Sequence, residues 1–381
     1  MYRPSRCRAR QELFMSAKRY IVGSYATSPS GLLGTTFDAE AERAFFAGLA
    51  GLPEVGGLEL ALFPDGALHP HSEDFLLEQL KEHGAEWDVV LTCIPGTMGI
   101  MQNGQPHFGL ASDNREGRAA AVKFVAAAAS SVKRVNAALR FAAFGLEQPS
   151  AGKSAGCVQA VELHSAPTQG GEAKTSAASL KASLKELLQE DWSGAQLVVE
   201  HCDAFVEAHA PLKGFLSLED ELQAVKFTEQ ETEWLNGLRG VDYPAPGLAI
   251  NWARSVLETR DATTPAAHIA QVVANHGSLA GLMFSGCADE EAVAQAGQPA
   301  VAFGAWCDTH MPSSTTVAGS LLTAAEVEAS LSALEATGAA AKLRYCGVKV
   351  TCFHDSTGKD VDLRVRANKD LLQMIQNFDP R

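Results

Sequence analysis

The sequence predicts an α/β protein, a single (β/α)8 barrel of the TIM type. Eight apolar runs of β-forming residues alternate with segments in which apolar side chains recur at helical spacing. This alternation predicts parallel strands joined by right-handed crossovers, and eight such units favour a closed barrel over an open sheet. The chain has 381 residues, 46% of them hydrophobic, which is ample for one large core. We expect one barrel domain over residues 16–381 and a disordered extension over residues 1–15.

Each predicted strand is a short apolar run, as expected for strands that are buried on both faces. The eight runs are Tyr20–Tyr25, Gly57–Phe63, Trp87–Ile94, Cys157–Leu163, Gln196–Val199, Gly247–Trp252, Gly281–Ser285 and Lys342–Phe353. The helical segments are Phe37–Leu49, the residues after Ser72, the residues after Asp113, Leu180–Leu188, Leu218–Val225, Ala266–Ala274 and the residues after Thr323. Asp113 with Glu116, and Thr323 with Glu326, have the spacing of a capping box at a helix start.

Two stretches depart from simple alternation. Residues 96–112 predict a long loop at the active face of the barrel. After the eighth run, Val361–Arg366 alternates like a further strand, and Leu371–Phe378 predicts a short closing helix.

Composition excludes several classes of function. The formal net charge of −14 disfavours nucleic-acid binding, which needs clustered Lys and Arg. No apolar run approaches the roughly 18 residues of a membrane span, so we expect no membrane association. The 8 cysteines lack CxxC spacing and predict neither a zinc ribbon nor secretion; we expect a cytoplasmic protein. No G-x-G-x-x-G or Walker-type loop is present, so we expect no nucleotide cofactor.

Polar side chains stand at the carboxyl ends of the predicted strands, where barrels of this kind carry their chemistry. Glu200 ends the fifth run, and a carboxylate in such a place is rarely buried without a partner. Glu162 and His164 are two residues apart and project from one face of an extended strand. Lys349 lies inside the eighth run, and Asp308 with His310 has a D-x-H spacing suited to metal ligation or acid–base chemistry.

These positions should converge on one pocket if the barrel closes. We predict catalytic roles for Glu200, His164, His310 and Lys349. We predict substrate-binding roles for Asn251, Arg254, Glu162, Asp203, His201 and Trp306. The alternatives are structural: an ion pair for Glu200, a satisfied core histidine for His164, and loop bracing for His201 and Asp203.

Several motifs together resemble the xylose-isomerase-like barrel superfamily. They are GLELALF on the second strand, LHSAP after the fourth, EHCDA after the fifth and DTH after the seventh. Over residues 18–355, these motifs with IVGSYATSPS, FGLAS, KGFLSLEDEL and INWARSVLE more narrowly resemble a bacterial barrel family of unknown function. The broad resemblance implies a sugar isomerase or epimerase with a divalent metal (Mn, Mg, Zn or Co), held by a Glu, an Asp, a His and a Glu after or on strands five to eight.

Only the first of these ligand positions matches. Glu200 stands at the fifth strand, whereas Asn251, Ser285 and Lys349 stand near the other three. A protonated lysine has no lone pair to offer a metal.

Two hypotheses follow for the cofactor. In one, a reduced metal site survives on Glu200, Asp308 and His310, with or without His164. Asp308 and His310 match the D-x-H of an endonuclease branch of the superfamily. In the other there is no metal, and Arg254 and Lys349 stabilise an enolate or bind an anionic substrate group.

The first functional hypothesis is an isomerase or epimerase in which Glu200 removes a proton next to the carbonyl of a small carbohydrate-like substrate. His164 or His310 would relay the proton, and elimination from the same enolate would make the enzyme a lyase. The alternatives are a phosphodiesterase-like hydrolase and a non-catalytic sugar-binding barrel. A homo-oligomeric assembly is compatible with each of these functions.

Overall fold

Eight parallel strands close into a barrel in which each strand pairs with its neighbours in chain order, and β1 pairs with β8. The computed structural model describes residues 19–31, 36–147, 154–170, 172–298, 300–352 and 360–381. The strands are β1 (Tyr20–Gly23), β2 (Val55–Ala61), β3 (Asp88–Thr92), β4 (Val158–Leu163), β5 (Gln196–His201), β6 (Gly247–Asn251), β7 (Gly281–Phe284) and β8 (Tyr345–Val348). This confirms the predicted (β/α)8 barrel.

Helices follow the strands and surround the barrel. They are α1 (Ser24–Thr27), α2 (Ala39–Ala50), α3 (Glu73–His83), α4 (Ile94–Gln102), α5 (Arg115–Phe144), α6 (Ala177–Leu187), α7 (Leu218–Lys226), α8 (Glu229–Arg239), α9 (Trp252–Thr259), α10 (Thr264–His276), α11 (Glu290–Ala296), α12 (Ala300–Phe303), α13 (Ala324–Ala336) and α14 (Val361–Phe378). Short 3-10 turns lie at Gly84–Glu86 and Ala340–Lys342.

Strand alternation divides the interior into two regions. Outward-facing strand residues pack against the helices in one large apolar core. Inward-facing residues form a small apolar layer inside the barrel that includes Ile21, Val90, Val198 and Tyr345. Residues two positions further along several of these strands are polar, and they lie towards the carboxyl ends. The apolar layer is therefore the floor on which the polar cluster rests.

Two sequence predictions are wrong. Val361–Arg366 belongs to helix α14, where Val365 packs against Gly48 of α2 and Arg364 donates to the carbonyl of Thr27. Residues 96–112 are only partly loop, because α4 extends to Gln102. The predicted extension over residues 1–15 lies outside the described residues.

The described cysteines are not all alike. Cys93 and Cys346 carry free, buried thiols, as their apolar surroundings suggest, whereas Cys157 is disulfide-bonded. Among the described residues, no helix combines the length and apolar character that a bilayer span requires.

Candidate active site at the carboxyl ends of the strands

Glu200 is the centre of the polar cluster inside the barrel. It is fully buried, and its two carboxylate oxygens meet three partners. Oε2 lies 2.8 Å from Nε2 of His164. Oε1 accepts a hydrogen bond of 2.9 Å from Nδ2 of Asn251 and lies 3.5 Å from Nζ of Lys349. Ser285 donates in turn to Oδ1 of Asn251 at 3.0 Å, which fixes the orientation of that amide.

Lys349 links Glu200 to a second carboxylate. Its Nζ lies 2.6 Å from Oε1 of Glu59, and both side chains are fully buried. Two buried carboxyl groups, those of Glu59 and Glu200, thus contact one ammonium. The Glu162 carboxyl accepts a hydrogen bond of 2.8 Å from the Tyr345 hydroxyl.

The pKa directions show how the charge is distributed in this cluster. Burial alone would raise the pKa of Glu200, but Lys349 and the His164 hydrogen bond outweigh it and hold the pKa well below its ordinary value. Burial and the charge of Glu200 raise the pKa of Glu162 well above its ordinary value. Burial likewise raises the pKa of Glu59, opposed by Lys349. Glu200 is therefore the ionised partner of Lys349, and Glu162 is the carboxyl of this cluster that burial and the neighbouring charge most favour in its neutral form.

His164 is held in one orientation by Glu200. Burial lowers its pKa, with Glu200 opposing, so the imidazole is neutral near pH 7. An ionised Glu200 cannot donate, so Nε2 of His164 carries the ring hydrogen and Nδ1 carries the lone pair. Nδ1 is buried and has no hydrogen-bond partner among the described residues. This atom is the free base of the cluster.

A second cluster of charges, the rim cluster, consists of Asp203, Lys213, Arg254 and Asp308. Arg254 NH2 lies 2.7 Å from Oδ2 of Asp308, and Lys213 Nζ lies 3.1 Å from the same oxygen. Asp203 Oδ2 accepts the backbone N–H groups of Leu212, Lys213 and Gly214 at 2.8, 2.8 and 3.3 Å. Arg254 is 1% exposed, yet its Nε and NH1 have no hydrogen-bond partner in the described part of the chain.

His310 lies beside the rim cluster, with Nδ1 3.7 Å from Oδ1 of Asp308. Its backbone φ of 52° is in the left-handed region, which non-glycine residues rarely adopt. Burial lowers the pKa of its ring to about 3, against the opposing charge of Asp308. His310 is therefore neutral and cannot serve as a cationic acid near pH 7.

The structure does not bring His201 and Trp306 to Glu200. Adjacent strand residues face opposite ways, so His201 points out of the barrel, where it contacts Glu221 and Glu258. Trp306 donates to Oε2 of Glu290 at 2.5 Å and has the guanidinium of Arg260 over its ring. The contacts of these two predicted substrate-binding residues are with the outer helices and the rim.

The metal ligands predicted from the sequence do not form a set. Asp308 is committed to two cations, and the ligand atoms of Glu200, Asp308 and His310 are not grouped among the described residues. Asn251 and Lys349 both direct hydrogens at Oε1 of Glu200, where the superfamily arrangement needs a bound cation. The residues therefore do not fit that metal centre.

A different set of donors does lie together. The ligand atoms of His164, Glu200 and Cys202 are within 4.8 Å of one another. Burial raises the pKa of the Cys202 thiol well above its ordinary value, which disfavours the thiolate that metals bind. To bind a metal there, Glu200 would also have to lose its hydrogen bond with His164.

Sequence reasoning missed Glu59, Tyr345 and Cys202. Side chains an even number of residues apart on a strand lie on the same face. Cys202 is two residues after Glu200, and Tyr345 is four before Lys349, so both face the barrel interior with these predicted site residues. For Glu59, the available signal was a charged residue at an inward-facing position of an otherwise apolar strand.

The fold and the site define the class: a (β/α)8 barrel with a buried acid–base cluster at the carboxyl ends of its strands. The family described as "Domain of unknown function (DUF4862)" matches residues 21–367, and the chain belongs to that family. A relative, "Uncharacterized protein STM3670" of Salmonella typhimurium, is 31% identical over 365 residues, which are 95% of this chain and 98% of the relative.

Two solved structures are similar to the chain over most of its length. An L-ribulose 3-epimerase has 13% identity and a TM-score of 0.49, with 94% of this chain and 95% of that chain covered. A xylose isomerase domain protein from Planctomyces limnophilus has 13% identity and a TM-score of 0.49, with coverage of 95% and 97%. At these values the likeness carries no argument about activity.

Proposed function

We propose that the chain is an isomerase or epimerase that moves a proton next to the carbonyl of a small carbohydrate-like substrate. The observation that carries the proposal is the buried His164–Glu200 pair beside the Lys349 ammonium. A neutral base with a free lone pair and a nearby fixed cation are what enolisation requires.

In this proposal His164 is the catalytic base and Glu200 positions it. Both oxygens of Glu200 are already hydrogen-bonded, whereas Nδ1 of His164 has no hydrogen-bond partner among the described residues. Nδ1 of His164 takes the proton from the carbon next to the carbonyl, and the C–H electrons form the enediolate. Protonation of the same carbon from the opposite face gives an epimer. Protonation of the former carbonyl carbon, with transfer of the hydroxyl proton between the two oxygens, gives an isomer.

Arg254 supports the charge that develops on the substrate oxygen. Its buried Nε and NH1 have no hydrogen-bond partner among the described residues, and a guanidinium keeps its charge at any working pH. The same donors suit an anionic group such as a carboxylate or phosphate. Sugar acids and sugar phosphates therefore belong in any substrate screen.

The cluster is covered, so a substrate enters only when segments above it move. Ile94, Ala166 and Phe215 pack together with Cys202 above the end of β5. When such covering segments close again over a bound substrate, they exclude water from the site.

The test is solvent deuterium uptake into a panel of ketoses, aldoses, sugar acids and sugar phosphates, followed by NMR. We expect exchange with the wild-type chain and a loss of about 100-fold or more in His164→Asn. Glu200→Gln should also lose exchange, because the glutamine amide can donate to Nε2 and disrupt the tautomer. The matched control is Glu186→Gln, which removes an exposed carboxylate. Full exchange in His164→Asn would sink the assignment.

The same experiment separates the alternatives. A lyase would release an unsaturated product as exchange proceeds. A sugar-binding barrel would bind a member of the panel without any exchange.

A further inference from the structure

A group of ionisable residues on the outer face of β5 is not used by the proposed reaction. We call His201, Glu221, Glu258 and His268 the outer histidine cluster. His201 points from β5 towards the helices, and the other three come from α7, α9 and α10 respectively. Alternation along the strand places this cluster and Glu200 on opposite faces of β5.

The two imidazoles are oriented in the same manner. Nδ1 of His201 lies 2.7 Å from Oε2 of Glu221, and Nδ1 of His268 lies 3.0 Å from Oγ of Ser255. Each ring therefore has its Nδ1 fixed by a separate partner. Both Nε2 atoms are directed at one carboxylate, that of Glu258.

The remaining distances describe a compact set of three donors. Nε2 of His201 is 3.0 Å from Oε2 of Glu258, and Nε2 of His268 is 3.8 Å from Oε1. All three ligand atoms lie within 4.8 Å of one another. Tetrahedral zinc with bonds of about 2.0–2.1 Å separates its ligands by about 3.3 Å, close to the observed values.

We propose that His201, Glu258 and His268 form a binding site for a zinc-like divalent cation. Two histidines and a carboxylate are a common zinc ligand set, and ligating histidines almost always donate their other nitrogen to a carboxylate or similar acceptor. Glu221 and Ser255 supply those acceptors. The Glu258 and His268 side chains keep 13% and 11% exposure, which leaves an open side for water as a fourth ligand.

A cation there would join three elements of the barrel. It would tie β5 to α9 and α10, immediately behind Glu200 and next to the segment that begins α9 with Arg254. The site does not open to the barrel interior, so in this proposal the cation holds these elements together and does not contact a substrate there. It is also independent of the proposed isomerase activity, since it shares no residue with it.

The test is titration of the full chain with Zn²⁺ and Co²⁺, with bound metal measured after dialysis. We expect one strongly bound equivalent, a rise in melting temperature and Co²⁺ absorption bands typical of tetrahedral nitrogen and oxygen ligands. His268→Ala should abolish all three, and Ser255→Ala should weaken binding about 10- to 100-fold. The control is His276→Ala at the end of the same helix, which should bind as the wild type does.

The donors inside the barrel must be separated from this site. A His164→Ala/Cys202→Ser double variant should retain the metal if it binds at the outer histidine cluster. Loss of binding in that double variant, retention of binding in His268→Ala, or absence of binding in the wild type would each overturn the proposal. If a variant fails to fold, the wild-type Co²⁺ spectrum still separates the two sites, because a Cys202 ligand would add a sulfur-to-cobalt charge-transfer band that histidine and glutamate ligands do not give. That band would overturn the proposal.

Discussion

Lys349 is the residue on which the interior charge balance depends. It is fully buried, and its ammonium contacts Glu59 and Glu200. Burial would lower its pKa, but these carboxylates raise the pKa well above its ordinary value. A buried ion pair adds little net stability, yet removing one partner is costly because the other charge stays buried.

Lys349→Met is therefore expected to destabilise the chain by about 3–5 kcal/mol in urea unfolding. The Glu59→Gln/Lys349→Met double variant should recover part of that loss, because it removes one of the uncompensated carboxylates. A double variant no more stable than the single one would contradict this assignment of charge.

Asp308 is expected to make stability depend on pH. Burial would raise its pKa, but Arg254 and Lys213 lower it well below the ordinary value. The folded state thus binds the proton less tightly than the unfolded state, so the contribution is full above about pH 4 and declines as pH falls below it.

The measurement is urea unfolding of wild type and Asp308→Asn at pH 7, 5 and 3. We expect the wild type to be more stable at pH 7 and 5, and the difference to shrink at pH 3. Asp74→Asn removes the same charge from an exposed position of α3 and should show little of this trend. A difference that stays constant with pH would refute the linkage.

At the scale of elements, helix starts were easier to predict than their capping residues. Thr323 caps α13 as predicted, and Ser72, which precedes the predicted helical segment, caps α3. For α5, the capping residue is Asn114, whose side chain accepts from the N–H of Gly117. The predicted cap, Asp113, instead accepts hydroxyl hydrogen bonds from Ser176 and Ser179.

Asn114→Ala should cost about 1 kcal/mol of stability, because the N–H of Gly117 loses its acceptor. Asn114→Asp keeps an acceptor at a helix start and should remain near the wild type. Thermal or urea unfolding of the two variants measures the difference. Equal stabilities would show that the cap contributes nothing.

At the scale of the whole molecule, barrel closure depends on space for large inward side chains. A Cβ on Gly281 of β7 would lie 2.1 Å from Cζ of Tyr345 on β8. Tyr345 fills the apolar floor and donates to Glu162, so it joins the floor to the polar cluster.

Gly281→Ala should destabilise the barrel by about 1–3 kcal/mol through overpacking. Gly237→Ala is the matched control, since it lies on the exposed face of α8 and its Cβ would have nothing within 4 Å. That control should be neutral or slightly stabilising. Unfolding curves that rank the two variants in the opposite order would contradict this account.

Sequence alone was enough to predict the barrel, its eight strands and the end at which the polar residues gather. Those features follow from local periodicity, which each segment carries by itself. The first part of helix α14, Val361–Arg366, was predicted as a strand, because so short a segment fits the strand period and the helix period equally well. The location of Glu200, His164, Asn251 and Lys349 in one cluster followed from strand order.

Tertiary structure alone decided which partners those residues meet. Lys349 and Glu200 are 149 residues apart, and only closure of the barrel brings them to 3.5 Å. That contact, together with the His164 bond, lowers the pKa of Glu200, whereas Nδ1 of His164 has no hydrogen-bond partner among the described residues. A pKa depends on burial and on neighbouring charges, and neither is a property of a residue's place in the sequence.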